Sequence, residues 1–360
     1  MIYMNETSIA LKSDIEKIIK ISLTKLDKEN IISIYLYGGY GRGEGSWVIE
    51  EINGLREVKP FNDYDIAFIV KKKFPLKILR QLESELKKHI DIKWIDICQF
   101  TKLNLKLFKV TIKNYDFKYA SKWIYGRKDI LECIPNMDVK SITLKDVETL
   151  YITRLWTLIG SFPKEGLIQM SKEKEIFFRN QMAKSILAIV DCVLVSNKEY
   201  DPSYKKRVQK LFNFSTDNQL LNLANWALDE KLRPRAIGMN NNEVKELYVN
   251  VNRLFFKYFY STLSLYYKSD IKKPENIDNH IIYNLIRFLK EKIKKFIFND
   301  NRHELNKYLI ILQGYIAFYY FEMTDKRLQT IQLVMEKRFS FSSNNLDEIR
   351  LKVADLRANL

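Results

Sequence analysis

Apolar and polar positions along the first third of the chain follow two different periods. Over residues 8–26, Ile9, Leu11, Ile15, Ile18, Ile19, Ile21 and Leu23 recur at helical spacing, which predicts an amphipathic helix. The apolar run Ile31–Tyr37, with Ser33 within it, reads as a buried strand, and residues 66–70 read the same way. Between them, residues 47–52 and 55–58 flank Asn53-Gly54. This is the strongest short hairpin signal, because both central residues of a type I′ turn take φ > 0. The hairpin reads equally as a lid over a site and as surface ornament. Leu76, Leu79, Leu82, Leu86 and Ile90 then mark one face of a helix over 75–89, with Pro75 in its first turn. A short strand over 92–98, a helix over 103–112, an edge strand over 123–126 and a helix over 128–134 complete this part.

From Thr143 the strand period disappears. Helices are predicted over 144–159, 172–195, 203–212, 218–228, 243–267, 280–298, 303–322, 326–336 and 344–358. The pattern therefore predicts an α/β fold, with a small mixed β-sheet core over 1–140 and an all-helical domain over 141–360. The break at 233–242 is a candidate further division. The tyrosines and phenylalanines at 255–267 read as bundle core.

Length and composition allow this. A chain of 360 residues holds two cores, and 46% hydrophobic with 29% charged residues describes a soluble globular protein. The first residues lack the basic start and apolar run of a secretory leader. The most membrane-like stretch, 308–321, contains Gln313 and Gly314 and is short for a bilayer, so no membrane partner is expected. Cys98, Cys133 and Cys192 are scattered, which fits a reducing, cytoplasmic setting. The net charge of +16 suits an acidic partner, a nucleotide or a nucleic acid. It equally suits basic residues spread over solvated faces. Alternation such as Lys172-Glu173-Lys174-Glu175 favours the second reading.

The candidate chemistry sits where the first two apolar runs end and begin. The first ends in Gly38-Gly39-Tyr40-Gly41-Arg42-Gly43-Glu44-Gly45, and the second opens with Asn62-Asp63-Tyr64-Asp65. Alternate residues of a strand share a face, so Asp63 and Asp65 point the same way and Tyr64 the other. Two carboxylates beside a glycine-rich turn supply what a Mg²⁺–triphosphate needs: hard oxygen ligands for the metal and backbone N–H groups for the phosphates. A further lone carboxylate, Asp96, lies within the apolar strand over 92–98, where it is costly unless paired or metal-bound.

At these residues the chain resembles the DNA polymerase β superfamily of nucleotidyltransferases. The run Gly38 to Glu44 resembles in particular the bacterial uridylyltransferases that modify a nitrogen-regulatory signalling protein. The resemblance covers roughly the first third of the chain. It departs in the gap, since those enzymes place the acidic pair close behind the glycines. The resemblance implies transfer of an NMP group from an NTP, ATP included, to an acceptor hydroxyl on a small molecule or protein, with release of pyrophosphate. The alternatives are an RNA-directed, tRNA-modifying transferase and a non-catalytic nucleotide-binding module. It implies two Mg²⁺ ions, or Mn²⁺, held by Asp63, Asp65 and Asp96. By the same resemblance Asp96 is the candidate general base, and Asp91 is the alternative for the third carboxylate. Gly38 and Gly39 would admit the triphosphate and Arg42 would pair with it, while Glu44 would orient Arg42 or cap the following turn. In the helical half, Lys184 would face the nucleotide, ahead of a Tyr200-x-x-Ser203 turn. Ser203 also reads as an ordinary helix N-cap.

Overall fold

The computed structural model describes residues 2–52, 55–161, 170–276 and 302–359. Helix α1 (Ile2–Lys25) leads into β1 (Ile31–Tyr37) and the short helical turn α2 (Gly38–Gly41). Strands β2 (Ser46–Ile52) and β3 (Leu55–Phe61) then precede β4 (Asp63–Val70). Helix α3 (Leu76–Lys87) carries the chain to β5 (Trp94–Thr101), followed by α4 (Lys102–Lys106), α5 (Ile112–Ala120) and β6 (Lys122–Gly126). The main sheet has the order β5-β4-β1-β6. β4 and β5 are parallel and the other pairs antiparallel, so the sheet is mixed. β2 and β3 form a separate antiparallel ribbon in register from Ser46–Phe61 to Ile52–Leu55. The turn at Asn53-Gly54 and the helix predicted over 280–298 lie outside the described residues.

The central strands are apolar without alternation because both of their faces are covered. Ile66, Phe68 and Val70 of β4 pack with Ile18 of α1 and Leu82 and Leu86 of α3. Ala67 and Ile69 face the other way, toward Leu105, Phe117 and Ile130. Full burial of each such side chain contributes about 1.5–3 kcal/mol, which pins β4 between two layers.

Three features differ from the pattern reading. The helix predicted over 103–112 ends at Lys106, and a separate helix, α5, begins only at Ile112. Thr101 caps α4 in a reciprocal box with Asn104, and Thr111 caps α5 by accepting from Asn114 N–H. Residues 128–133 tighten into a 3₁₀ turn. Pro75 occupies the position just before α3 rather than its first turn.

After Thr143 the described residues are helical or connecting: α6 (Leu144–Ser161), α7 (Lys172–Ser196), α8 (Tyr204–Leu211), α9 (Asn218–Leu232), α10 (Asn241–Tyr267), α11 (Arg302–Tyr319), α12 (Asp325–Phe339) and α13 (Leu346–Asn359). The fold is thus a small mixed-sheet α/β region followed by a helical region. The chain forms two compact units, Met1–Thr143 with Asn197–Arg235, and Leu144–Ser196 with Ala236–Leu360. Helices α8 and α9, counted from the sequence pattern with the helical half, group with the sheet. In the second unit α6 packs on α7, α10, α11 and α13. Tyr151, Phe255, Phe256, Phe259 and Tyr260 form a contiguous ring cluster there. Among the described residues no helix is long and apolar enough to cross a membrane.

Candidate active site

The site is built at the entrance of β4. Asn62 precedes it with φ near +80°, a left-handed conformation that asparagine tolerates better than most residues, and its side-chain amide donates to the Asp63 carboxylate. β4 pairs with β1 as far as Tyr37–Asp65, and with β5 so that Asp65 lies opposite Asp96. These registers bring carboxylate oxygens of Asp63, Asp65 and Asp96 within 4.8 Å of one another. Among the described residues this is the one group of three such side chains suited to a metal ion. Loss of solvation, and then the negative charges of Asp63 and Glu83, hold the Asp96 carboxyl above its ordinary value. Asp91 lies in the loop before β5, 80% exposed and 3.5 Å from Lys59.

The glycine turn closes onto this cluster. Gly38 directly follows β1 and has φ of +64°; a Cβ built there would sit 1.9 Å from Asp65 Oδ2. The residue after the first strand must therefore be glycine for two reasons, its backbone conformation and the carboxylate pressed against it. Tyr37 and Cys98 pack against the same core cluster on this side of the sheet. Burial, then the neighbouring Cys98 thiol and the Asp65 carboxylate, raise the Tyr37 hydroxyl above its ordinary value, and burial pushes the Cys98 thiol up to about 11.

Arg42 and Glu44 take their partners from α5 and the start of α8. Arg42 Nη1 donates to Asp116 Oδ2 at 2.8 Å, and its guanidinium lies 4.6 Å from the centre of the Tyr204 ring. Asp116, on α5, also accepts from the Tyr200 hydroxyl at 3.0 Å. Only 9% of the Arg42 side chain is exposed, so the guanidinium expected on a phosphate is committed to a carboxylate and a ring. Glu44 is buried and accepts three hydrogen bonds: from Ser203 Oγ (2.8 Å), Tyr204 N–H (2.7 Å) and Lys205 N–H (3.1 Å). It caps the first turn of α8, in sequence far from its own turn, and lies 3.9 Å from Arg42 Nε. Ser203 is the N-cap of that helix, accepting from Lys206 N–H.

Replacing Glu44 with alanine strands these donors. It is expected to destabilise the first unit by at least about 2 kcal/mol, at the top of the range for a lost cap, and Glu44→Gln by less, because one acceptor oxygen remains. Urea unfolding of the two variants measures the difference. Equal midpoints for Glu44→Ala and the parent would refute the capping role.

Lys231, near the end of α9, is the residue the pattern missed. Its buried ammonium donates to Ser46 Oγ at 2.5 Å, and Ser46 Oγ donates in turn to the Lys231 carbonyl at 2.6 Å. The same ammonium lies 3.7 Å from where a Cβ on Gly39 would be, which puts a cation at the glycine turn. No local sequence signal marks it, since its partners are a strand and a turn some 185 residues earlier. Lys184 belongs to α7 and hence to the second unit.

No protein-family profile matches the chain, and no curated protein matches it. Among solved structures, the chain is similar to spectinomycin adenyltransferase AAD(9) from Enterococcus faecialis, crystallised with ATP and spectinomycin. The match has a TM-score of 0.37 and 15% sequence identity, and covers 67% of this chain and 98% of that one.

Proposed function

We propose that the protein is a metal-dependent nucleotidyltransferase that moves an NMP group from an NTP to an acceptor hydroxyl on a small molecule or protein. The observation carrying this reading is the carboxylate trio at the entrance of β4 and near the start of β5, closed on one side by Gly38. An all-oxygen, anionic donor set suits a hard divalent cation, Mg²⁺ or Mn²⁺, and mutual repulsion of three acids is relieved by one. When bound, such ions polarise the phosphoryl oxygens and stabilise the departing pyrophosphate. Asp63, Asp65 and Asp96 are the residues that would hold them.

The remaining work falls to the chain itself. Gly38 makes room for Asp65, and Gly39 lets the backbone of the turn come close to the phosphates. Lys231 supplies positive charge beside that turn. Arg42 and Glu44 act through the fold, holding α8 and hence α9 against the glycine turn. Asp96, the exposed member of the trio, with its carboxyl held above its ordinary value, accepts the proton of the acceptor hydroxyl. The new bond joins the acceptor oxygen to the α-phosphorus, the bond to pyrophosphate breaks, and the proton resides on the Asp96 carboxylate.

Incubating the protein with Mg²⁺ and each NTP labelled at the α-phosphate, with mass spectrometry of candidate acceptors, tests the reaction: a mass gain of one NMP is the expected result. Asp96→Ala should abolish transfer while retaining NTP binding, and Asp91→Ala should behave as the parent. The reverse outcome would exchange the roles of the two residues.

A further inference from the structure

Tyr64 lies between the two carboxylates in sequence and behind them in space. Its side chain is fully buried, and its hydroxyl donates to Asp14 Oδ2, on α1, at 2.9 Å. Asp14 is itself buried, and Lys17, one turn later, reaches its other oxygen at 3.3 Å. On the other side, the Tyr40 ring of α2 stands edge-on to Tyr64 at 4.5 Å. The Tyr40 hydroxyl donates to the Ser46 carbonyl and accepts from Phe61 N–H. A row of phenols thus ties α1, the glycine turn and the base of the hairpin to the back of the β4 entrance.

That entrance needs holding. The ladder to β1 ends at Tyr37–Asp65, so Asp63 pairs only with β5, and the left-handed Asn62 precedes it. Because neighbouring residues of a strand point to opposite faces, any rotation of the chain that moves Tyr64 swings Asp63 and Asp65 the other way. A phenylalanine would fill the same volume as Tyr64. Burying a carboxylate at Asp14 is costly, and what it adds over an apolar contact is one directional bond that fixes the phenol.

We propose that Asp14 is a positioning residue for the divalent-cation site. Acting through the Tyr64 hydroxyl, it holds the β4 entrance in the rotation that directs Asp63 and Asp65 at one ion. The inference rests on the reading of the trio as a cation site.

The test is Mn²⁺ binding to the full chain, read from the electron paramagnetic resonance signal of the free ion, alongside thermal unfolding. Asp65→Asn, which removes a ligand, should lose binding. Tyr64→Phe and Asp14→Ala should weaken it by about tenfold or more, the scale seen when an outer partner of a metal ligand is removed. Asp14→Asn, which keeps an acceptor for the phenol, should recover most of that loss. If Tyr64→Phe and Asp14→Ala bind Mn²⁺ as the parent does while Asp65→Asn does not, the positioning role is overturned and the cation site stands. Variants that lower the unfolding temperature without moving the Mn²⁺ affinity overturn it equally. A parent protein that binds no Mn²⁺ overturns the cation-site reading, and the positioning role with it.

Discussion

Asp65→Asn is expected to reduce nucleotidyl transfer by more than about a hundredfold, beyond the upper end of what losing a mere outer partner costs at a metal site. The substitution keeps the shape of the side chain and removes the charge. The stability of the metal-free protein should not fall with the activity. Three carboxylates share a space of 4.8 Å at this site, and neutralising one relieves the repulsion among them. The unfolding temperature should therefore hold or rise, as commonly happens when a strained functional group is removed. Transfer assays and thermal unfolding of the same preparation decide the matter. An Asp65→Asn protein with full transfer activity would remove the carboxylate trio from the chemistry.

Gly38→Ala carries the second large effect, and Gly43→Ala is its control. Both glycines have positive φ, +64° and +75°, so alanine is conformationally unfavourable at either, by about 1 kcal/mol. The surroundings differ. A Cβ at Gly43 meets nothing within 4 Å, whereas one at Gly38 would lie 1.9 Å from Asp65 Oδ2 and 2.9 Å from its Cγ. At Gly38, either the turn or the carboxylate must move. Gly38→Ala should therefore lose transfer activity on the scale of Asp65→Asn and be destabilised by roughly 2–3 kcal/mol, through strain together with the displaced side chain. Gly43→Ala should keep its activity and show only the conformational cost. Comparable activity in the two alanine variants would mean that the approach of Gly38 to Asp65 does not matter for the reaction.

What could be read from the sequence is what local periodicity encodes. The runs that became β1 and the body of β4 are apolar apart from Ser33 because each strand is covered twice. The leucines of α3 fall on one face, and the i, i+2 spacing of Asp63 and Asp65 survives folding unchanged. The early end of α4 at Lys106 and the start of a new helix at Ile112 are hidden in the pattern because a capping threonine, Thr111, sits inside an otherwise helical run. The roles of Arg42 and Glu44 were beyond local reading for a different reason. Asp116 lies 74 residues from Arg42, and Ser203 lies 159 from Glu44. A charged pair at a glycine turn looks the same whether it faces a phosphate or a helix end, and only the tertiary structure distinguishes them. Lys231 was invisible on the same grounds.

The capping of α8 by Glu44 also bears on how the chain is made. Glu44, Arg42 and Ser46 leave the ribosome early, while Ser203, Tyr204 and Lys231 leave only after α6 and α7, which belong to the other unit, have been synthesised. Domains generally fold as they emerge, at about 5–20 residues per second. During that interval the nascent sheet carries a carboxylate whose helix does not yet exist, and residues 1–143 alone do not amount to a finished folding unit. An N-terminal fragment ending there would keep the sheet, the carboxylate trio and the glycines, yet expose the surface that Glu44 and Ser46 normally bury. Recombinant dissection of this protein should follow the discontinuous boundary, with residues 197–235 joined back to the sheet.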